Sequence, residues 1–155
     1  MSVLAIDPGS QQSAWLIYDG VNPVDFAIDK NEILLRTLSE ISADHLAIEY
    51  MRPRGMPTSK EEMDTQFVAG RFVQAWGGKW SKVYRKDVKM HLCNSMRAKD
   101  SNIRQALLDR FAGTGGGKTP QIGTKNCKGP LYGVKADIWS ALAVAVTFSE
   151  RQDDA

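Results

Sequence analysis

Ser2-Val3-Leu4-Ala5-Ile6-Asp7-Pro8-Gly9-Ser10 opens the chain. Its reading decides the fold. Five residues rich in apolar side chains run as a buried strand, and the strand stops on a carboxylate. Pro8-Gly9 turns the chain there, and glycine lets backbone approach closely beside Asp7. A lone acid at a sheet edge is the beginning of a metal or phosphate site. His45-Leu46-Ala47-Ile48 repeats the pattern and runs into Glu49. A third acid, Asp137, opens the last apolar helix.

Outward from these stretches, Ser13–Tyr18 reads as a second strand and residues 23–28 as a short third. Lys30–Ile41 has helical spacing, with Ile33, Leu34, Leu38 and Ile41 on one face. Residues 45–50 form a fourth strand. The basic, proline-broken loop Arg52-Pro53-Arg54-Gly55-Met56-Pro57 follows. Thr58 or Ser59 then caps a long helix ending near Trp76, where Gly77-Gly78 stops it. Met63, Phe67, Gly70 and Val73 mark one face of that helix. Lys82–Tyr84 is a short fifth strand. Arg85–Cys93 and Asp100–Phe111 are two cation-bearing helices, and a final helix spans about Val134–Ser149. Residues 113–133, with 7 glycines, 2 prolines and 3 lysines, read as a mobile loop and not as a packed element. Residues 1–150 are expected to form one domain, and 151–155 a frayed tail. The strand–helix–strand–helix–strand run requires parallel pairing, while the tight first turn requires antiparallel pairing. The expected architecture is therefore α/β: a mixed five-stranded sheet with helices on both faces.

At 155 residues the chain can bury a self-sufficient core. No apolar run suffices to span a bilayer, and no leader-like segment opens the sequence. Residence in the cytoplasm, of a bacterial cell or a phage-infected host, is the expectation. Cys93 and Cys127 lack metal-type spacing and read as reduced thiols. His45 and His91 read as packing or surface residues. The net charge of +2 hides an asymmetry, because residues 82–135 carry 12 basic and only 3 acidic side chains. Such a segment suits a polyanion, most commonly nucleic acid.

Three acids at element ends need cations to stay ionised together. Hard oxygen donors suit Mg²⁺ or Mn²⁺. Two such ions activate water and stabilise the leaving oxygen of a phosphodiester. Asp7, Glu49 and Asp137 are thus the candidate catalytic and metal-binding residues. Singly, a strand-end Asp before Pro-Gly is often only a turn former, and an Asp opening a helix often serves the helix dipole. Glu49 is harder to explain that way, since an unpaired carboxylate in a central strand is costly. Arg52, Arg54, Lys82, Arg85, Lys86, Lys89, Arg97, Lys99 and Arg104 are candidate phosphate contacts, with Lys118, Lys125 and Lys128 on a loop able to close over DNA.

The ordered set of motifs resembles the RuvC family of Holliday-junction resolvases, within the RNase H-like superfamily, with a phage-type member in view. The matching pieces are Leu4–Ser10, Leu46–Glu49, the helix with Ala69-Gly70-Arg71, Val83–Lys89, and Asp137–Ala145. The resemblance implies a homodimeric, Mg²⁺- or Mn²⁺-dependent endonuclease making paired nicks in four-way DNA junctions, with Asp7, Glu49 and Asp137 as metal ligands. It also implies a fourth ligand three residues from the acid of the last helix. That place holds Ser140, or Val134 in the other alignment, so one ligand is missing. Three residues after Glu49, where some members carry an aromatic that stacks near the junction centre, stands Arg52. Gly70, costing about 1 kcal/mol against alanine in a helix, fits a close backbone approach, by the sheet of the same chain or the twin helix of a partner.

Other readings fit less. Ala112–Thr119 satisfies a relaxed phosphate-loop pattern, but a helix precedes it and Pro120 follows, so no nucleotide cofactor is expected. An actin-like phosphotransferase needs two such domains. An RNase H acting on RNA–DNA hybrids and a non-cutting module for branched DNA remain as alternatives, and the latter leaves Glu49 unexplained.

Overall fold

Alternation within the strands sets the layers. In the computed structural model, which describes residues 1–153, β1 (Val3–Asp7) sends Val3 and Ala5 to one face of the sheet and Leu4 and Ile6 to the other, all fully buried. Both faces are covered, which is why the strand reads as a continuous apolar run. β2 (Gln12–Tyr18) and β3 (Pro23–Lys30) extend the sheet antiparallel on one side of β1. β4 (His45–Tyr50) and β5 (Trp80–Tyr84) extend it parallel on the other, giving the order β3-β2-β1-β4-β5. The expected mixed five-stranded α/β architecture is the one observed.

Helix α1 (Asn31–Thr37), continued by a 3₁₀ turn over Leu38–Glu40, and α2 (Lys60–Trp76) cover the Leu4/Ile6 face with Leu34, Leu38, Val68, Ala69 and Phe72. The other face takes α3 (Arg85–Cys93), α4 (Asp100–Leu108) and α5 (Ile138–Asp153). Helix α5 packs across β1, β2 and β4, and the core they share is rich in small residues, among them Ala5, Ala14, Ala47, Ala141 and Ala145, all buried. Ser59 caps α2, its hydroxyl accepting from the Glu62 N–H at 3.1 Å, and Gly77 ends the helix at φ 69°.

Four expectations are corrected. The outward face of α2 is the one carrying Met63, Phe67 and Gly70; the core face is Val68, Ala69 and Phe72. Both stripes have helical spacing, and the sheet chose the second. Helix α5 begins at Ile138, because Ala136 sits at φ 47°, a left-handed conformation that a helix cannot include. Asp137 is the residue just before it and accepts the Ala141 N–H through its carbonyl. Residues 151–153 continue α5 and are no frayed tail; 154 and 155 lie outside the described residues.

Residues 113–133, finally, form a packed unit. Gly115 N–H donates to Pro120 O, Gly116 N–H to Cys127 O and Gly129 N–H to Ile122 O, around a bridge between Gly123 and Lys128. A Cβ at Gly115, Gly123 or Gly129 would collide with backbone, so these glycines serve close packing and not looseness. Leu131 anchors the unit, fully buried, in the core beneath α5.

Candidate active site

Parallel pairing of β1 with β4 aligns Ile6 with Ile48, so Asp7 and Glu49 follow side by side at one end of the sheet. Both fall on the pleat face that carries Ala5 and Ala47, the face crossed by α5. The two carboxyls are close enough for Glu49 to act on Asp7 by both charge and hydrogen bonding. Burial first, then the charge of Glu49 and the shared hydrogen bond, then the charge of Asp137, push the Asp7 carboxyl up from 3.8 to about 9; only Arg85 pulls it down.

The turn after Asp7 is fixed by residues that carry no signal in the sequence pattern. Gly9 N–H donates to Ser13 Oγ at 3.1 Å, Ser13 Oγ to Asn31 Oδ1 at 2.6 Å, and Asn31 Nδ2 back to Gly9 O at 2.8 Å. Ser13 and Asn31 are buried. Gly9 has no alternative, since a Cβ there would stand 2.3 Å from Gln12 O.

Two clefts flank the acids. One, of about 460 Å³, is lined by Asp7, Glu49, Tyr50, Glu61, Glu62 and Arg85 among others. The second, of about 820 Å³, is lined by Gly9, Ser10, Lys60, Glu61, Asp64 and Asp137. Glu61 lines both, and its carboxylate has no partner among the described residues. Glu61 lies in the first turn of α2, where the helix dipole alone would favour an acid, so the sequence pattern does not mark it as a site residue. Ser140 lines neither cleft; it stands with Asp137 and Arg85 in a third, of about 370 Å³, between α3, α4 and the start of α5.

Among the described residues no three His, Cys, Asp or Glu side chains are drawn together closely enough to enclose a metal ion. The donor set nonetheless suits a hard divalent cation: oxygen donors only, two of them against each other and partly buried, with a third acid acting on the first.

The cations divide into two groups. Arg52, Arg54, Arg85, Lys86 and Lys89 gather around Tyr50 and Tyr84 in a pocket of about 250 Å³ that shares Tyr50, Met51 and Arg85 with the acid cleft. Arg52 lies over the Tyr84 ring at 4.2 Å and Lys82 over the Tyr50 ring at 4.2 Å. Arg54 pairs with Glu62 at 2.5 Å, and Arg85 with Asp100. Lys118, Lys125 and Lys128 are elsewhere. Their unit packs toward Phe26 of β3, the edge strand opposite β5, and they line none of these clefts. The glycine run Gly115-Gly116-Gly117 before Lys118 leads into no helix, and its first two N–H groups are taken by carbonyls. His45 stacks on Phe148 at 4.5 Å and His91 meets Glu150 at 2.9 Å, both away from the acids.

No protein-family model matches the chain, and no curated protein matches it by sequence. Solved structures do match. Thermus thermophilus RuvC superposes with a TM-score of 0.67 at 16% identity, covering 99% of this chain and 97% of that one. The fold is RuvC-like. Thermus thermophilus RuvC in complex with a Holliday junction substrate matches at 0.64 and 15% identity, over 99% and 96% of the two chains. RuvC thus shares the fold of this chain over nearly its whole length. No helix among the described residues is long and apolar enough to cross a membrane.

Proposed function

We propose that the chain is a metal-dependent, structure-selective endonuclease that cuts four-way junctions and other branched DNA by paired nicks. The observation that carries this reading is the Asp7–Glu49 pair: two partly buried carboxyls side by side at one end of a RuvC-like sheet, with burial first and Glu49 second raising Asp7 to about 9. That arrangement is costly to the fold and makes sense as a site built for divalent charge.

Asp7 and Glu49, with Asp137, would hold Mg²⁺ or Mn²⁺, as one or two ions. When bound, the metal supplies an activated water and charge stabilisation at the leaving oxygen. The chain's own residues do the remainder. Ser13, Asn31 and Gly9 hold the turn that aims Asp7. Glu61 is the acid best placed to complete the set, since it lines the clefts of both Asp7 and Asp137. Arg52, Arg85, Lys86 and Lys89 offer a cationic approach for the sugar–phosphate backbone directly beside the acids. The substrate class is supported by the likeness to a RuvC solved with a Holliday junction.

Paired nicks need two sites. Helix α2 offers the surface: Met63 and Phe67 are 60% and 73% exposed, and a Cβ on Gly70 would meet nothing within 4 Å. The sheet of the same chain therefore does not explain Gly70, whereas a second copy does.

Asp7→Asn and Glu49→Gln are expected to bind labelled four-way junctions with affinity near that of the unaltered chain and to cut them at under about 1% of its rate, as loss of a metal-holding group implies. Offering forks, linear duplex and RNA–DNA hybrid alongside separates the junction reading from the hybrid nuclease, and retained cutting by either variant would remove that residue from the site.

A further inference from the structure

Arg85 occupies a position no other described residue shares. It lines the cleft of Asp7 and Glu49, the cleft of Asp137 and Ser140, and the basic pocket of Tyr84, Lys86 and Lys89. Two reasons put it there. It is the first residue of α3, directly after β5, and β5 pairs in parallel with the strand that carries Glu49. Its charge reaches Asp7, being the one influence that lowers that carboxyl's affinity for a proton.

The guanidinium is nevertheless held by a group outside the acid pair. It donates to Asp100, the first residue of α4. The Asp100 side chain is 90% exposed, and an ion pair so open to water contributes little to stability. Packing between α3 and α4 is supplied by Val88, Leu92, Ile103 and Leu107, all buried. The pair is thus dispensable for the fold. Its chemistry is informative: a guanidinium fork accepts a carboxylate or a phosphate in the same way. Of the neighbouring cations, Arg52 and Lys82 lie over tyrosine rings and Arg54 pairs with Glu62, while Lys86 and Lys89 line the basic pocket but not the acid clefts.

We propose that Arg85 is the contact for the backbone phosphate at the cutting site, and that Asp100 holds its guanidinium in reserve until an entering DNA phosphate displaces the Asp100 carboxylate. This rests on the nuclease reading above and adds to it a residue and a gate. The exchange is one of ion-pair partners, with no bond to the phosphate made or broken. Because Asp100 competes with the phosphate for one guanidinium, its effect on DNA binding must run through Arg85.

A double-mutant cycle reads this directly. Binding of a fluorescently labelled four-way junction is measured by anisotropy, without metal, for the full chain and for Asp100→Asn, Arg85→Ala and the pair combined. Asp100→Asn is expected to tighten binding roughly two- to fivefold, the range set by what an exposed ion pair can withhold. Arg85→Ala should weaken it about tenfold and lower the salt slope by about one. In the Arg85→Ala background, Asp100→Asn should change nothing. Asp100→Asn that fails to tighten binding would overturn the proposal by itself, without reference to whether Arg85→Ala folds. Equal tightening in both backgrounds would also overturn it, since removing any negative charge near DNA would then suffice. A chain that shows the predicted cycle yet cuts nothing would retain the gate and lose the nuclease. One that cuts junctions but shows no coupling would do the reverse. A chain that binds no DNA at all would overturn both.

Discussion

At the scale of the residue, the site is a problem in charge. A carboxyl whose folded pKa stands near 9, against an ordinary 3.8, keeps its proton more tightly folded than unfolded. Between those two values the folded state therefore loses stability as pH rises. Without metal, the chain should melt at progressively lower temperature from about pH 4 to about pH 9 for this reason. Asp7→Asn removes the cost, and at pH 7 in chelator it is expected to melt at least about 3 °C higher than the unaltered chain. A lower melting temperature would mean that Asp7 is stabilised by something other than a proton. Adding Mg²⁺ should raise the melting temperature of the unaltered chain and leave that of Asp7→Asn where it was. Ser13 and Asn31 make the second point at this scale. Asn31→Ala leaves the proton of the buried Ser13 hydroxyl without its acceptor and the Gly9 carbonyl without its donor, and is expected to cost about 1–3 kcal/mol in chemical denaturation. Junction cutting should fall with it, because the turn that aims Asp7 is then free. Sequence reading reached Asp7, Glu49 and Asp137, since each ends or opens an element, but passed over Ser13 and Asn31. Nothing in a lone Ser in a strand or Asn at a helix start reveals that the two will meet 18 residues apart.

At the scale of the element, period decided what was legible. The strands alternate or run apolar, their ends carry turn residues, and β4 and α3 have the boundaries expected. The orientation of α2 was not legible, because the Met63/Phe67 and Val68/Phe72 stripes both satisfy a helical repeat. Only the sheet's contact with the second stripe resolves it. The outward stripe then becomes a surface to explain. Phe67→Glu should leave the melting temperature nearly unchanged, the substitution costing under about 0.5 kcal/mol in the monomer, and should convert a sedimenting dimer to a monomer. A monomer in the unaltered chain would remove α2 as the dimer surface. Residues 113–133 misled for a related reason. Seven glycines suggest freedom when counted, whereas here Gly115, Gly123 and Gly129 are required by contacts with backbone that no local pattern announces.

At the scale of the molecule, the net charge of +2 conceals a division of labour. The acids collect where β1, β4, α2 and the start of α5 converge, and the cations of β5 and α3 stand immediately beside them. The lysines of residues 113–133 stand apart, near the β3 edge, so the cationic third of the chain serves at least two surfaces. On the function proposed above, a RuvC-like sheet with acids at one end and cations at their side would bring a phosphodiester to metal. The most direct test is to label each strand of a four-way junction in turn and incubate it with the chain in Mg²⁺, in Mn²⁺ and in chelator. The account predicts symmetric nicks in opposing strands, present only with metal, and a linear duplex left whole. Absence of metal-dependent incision in every strand would contradict it.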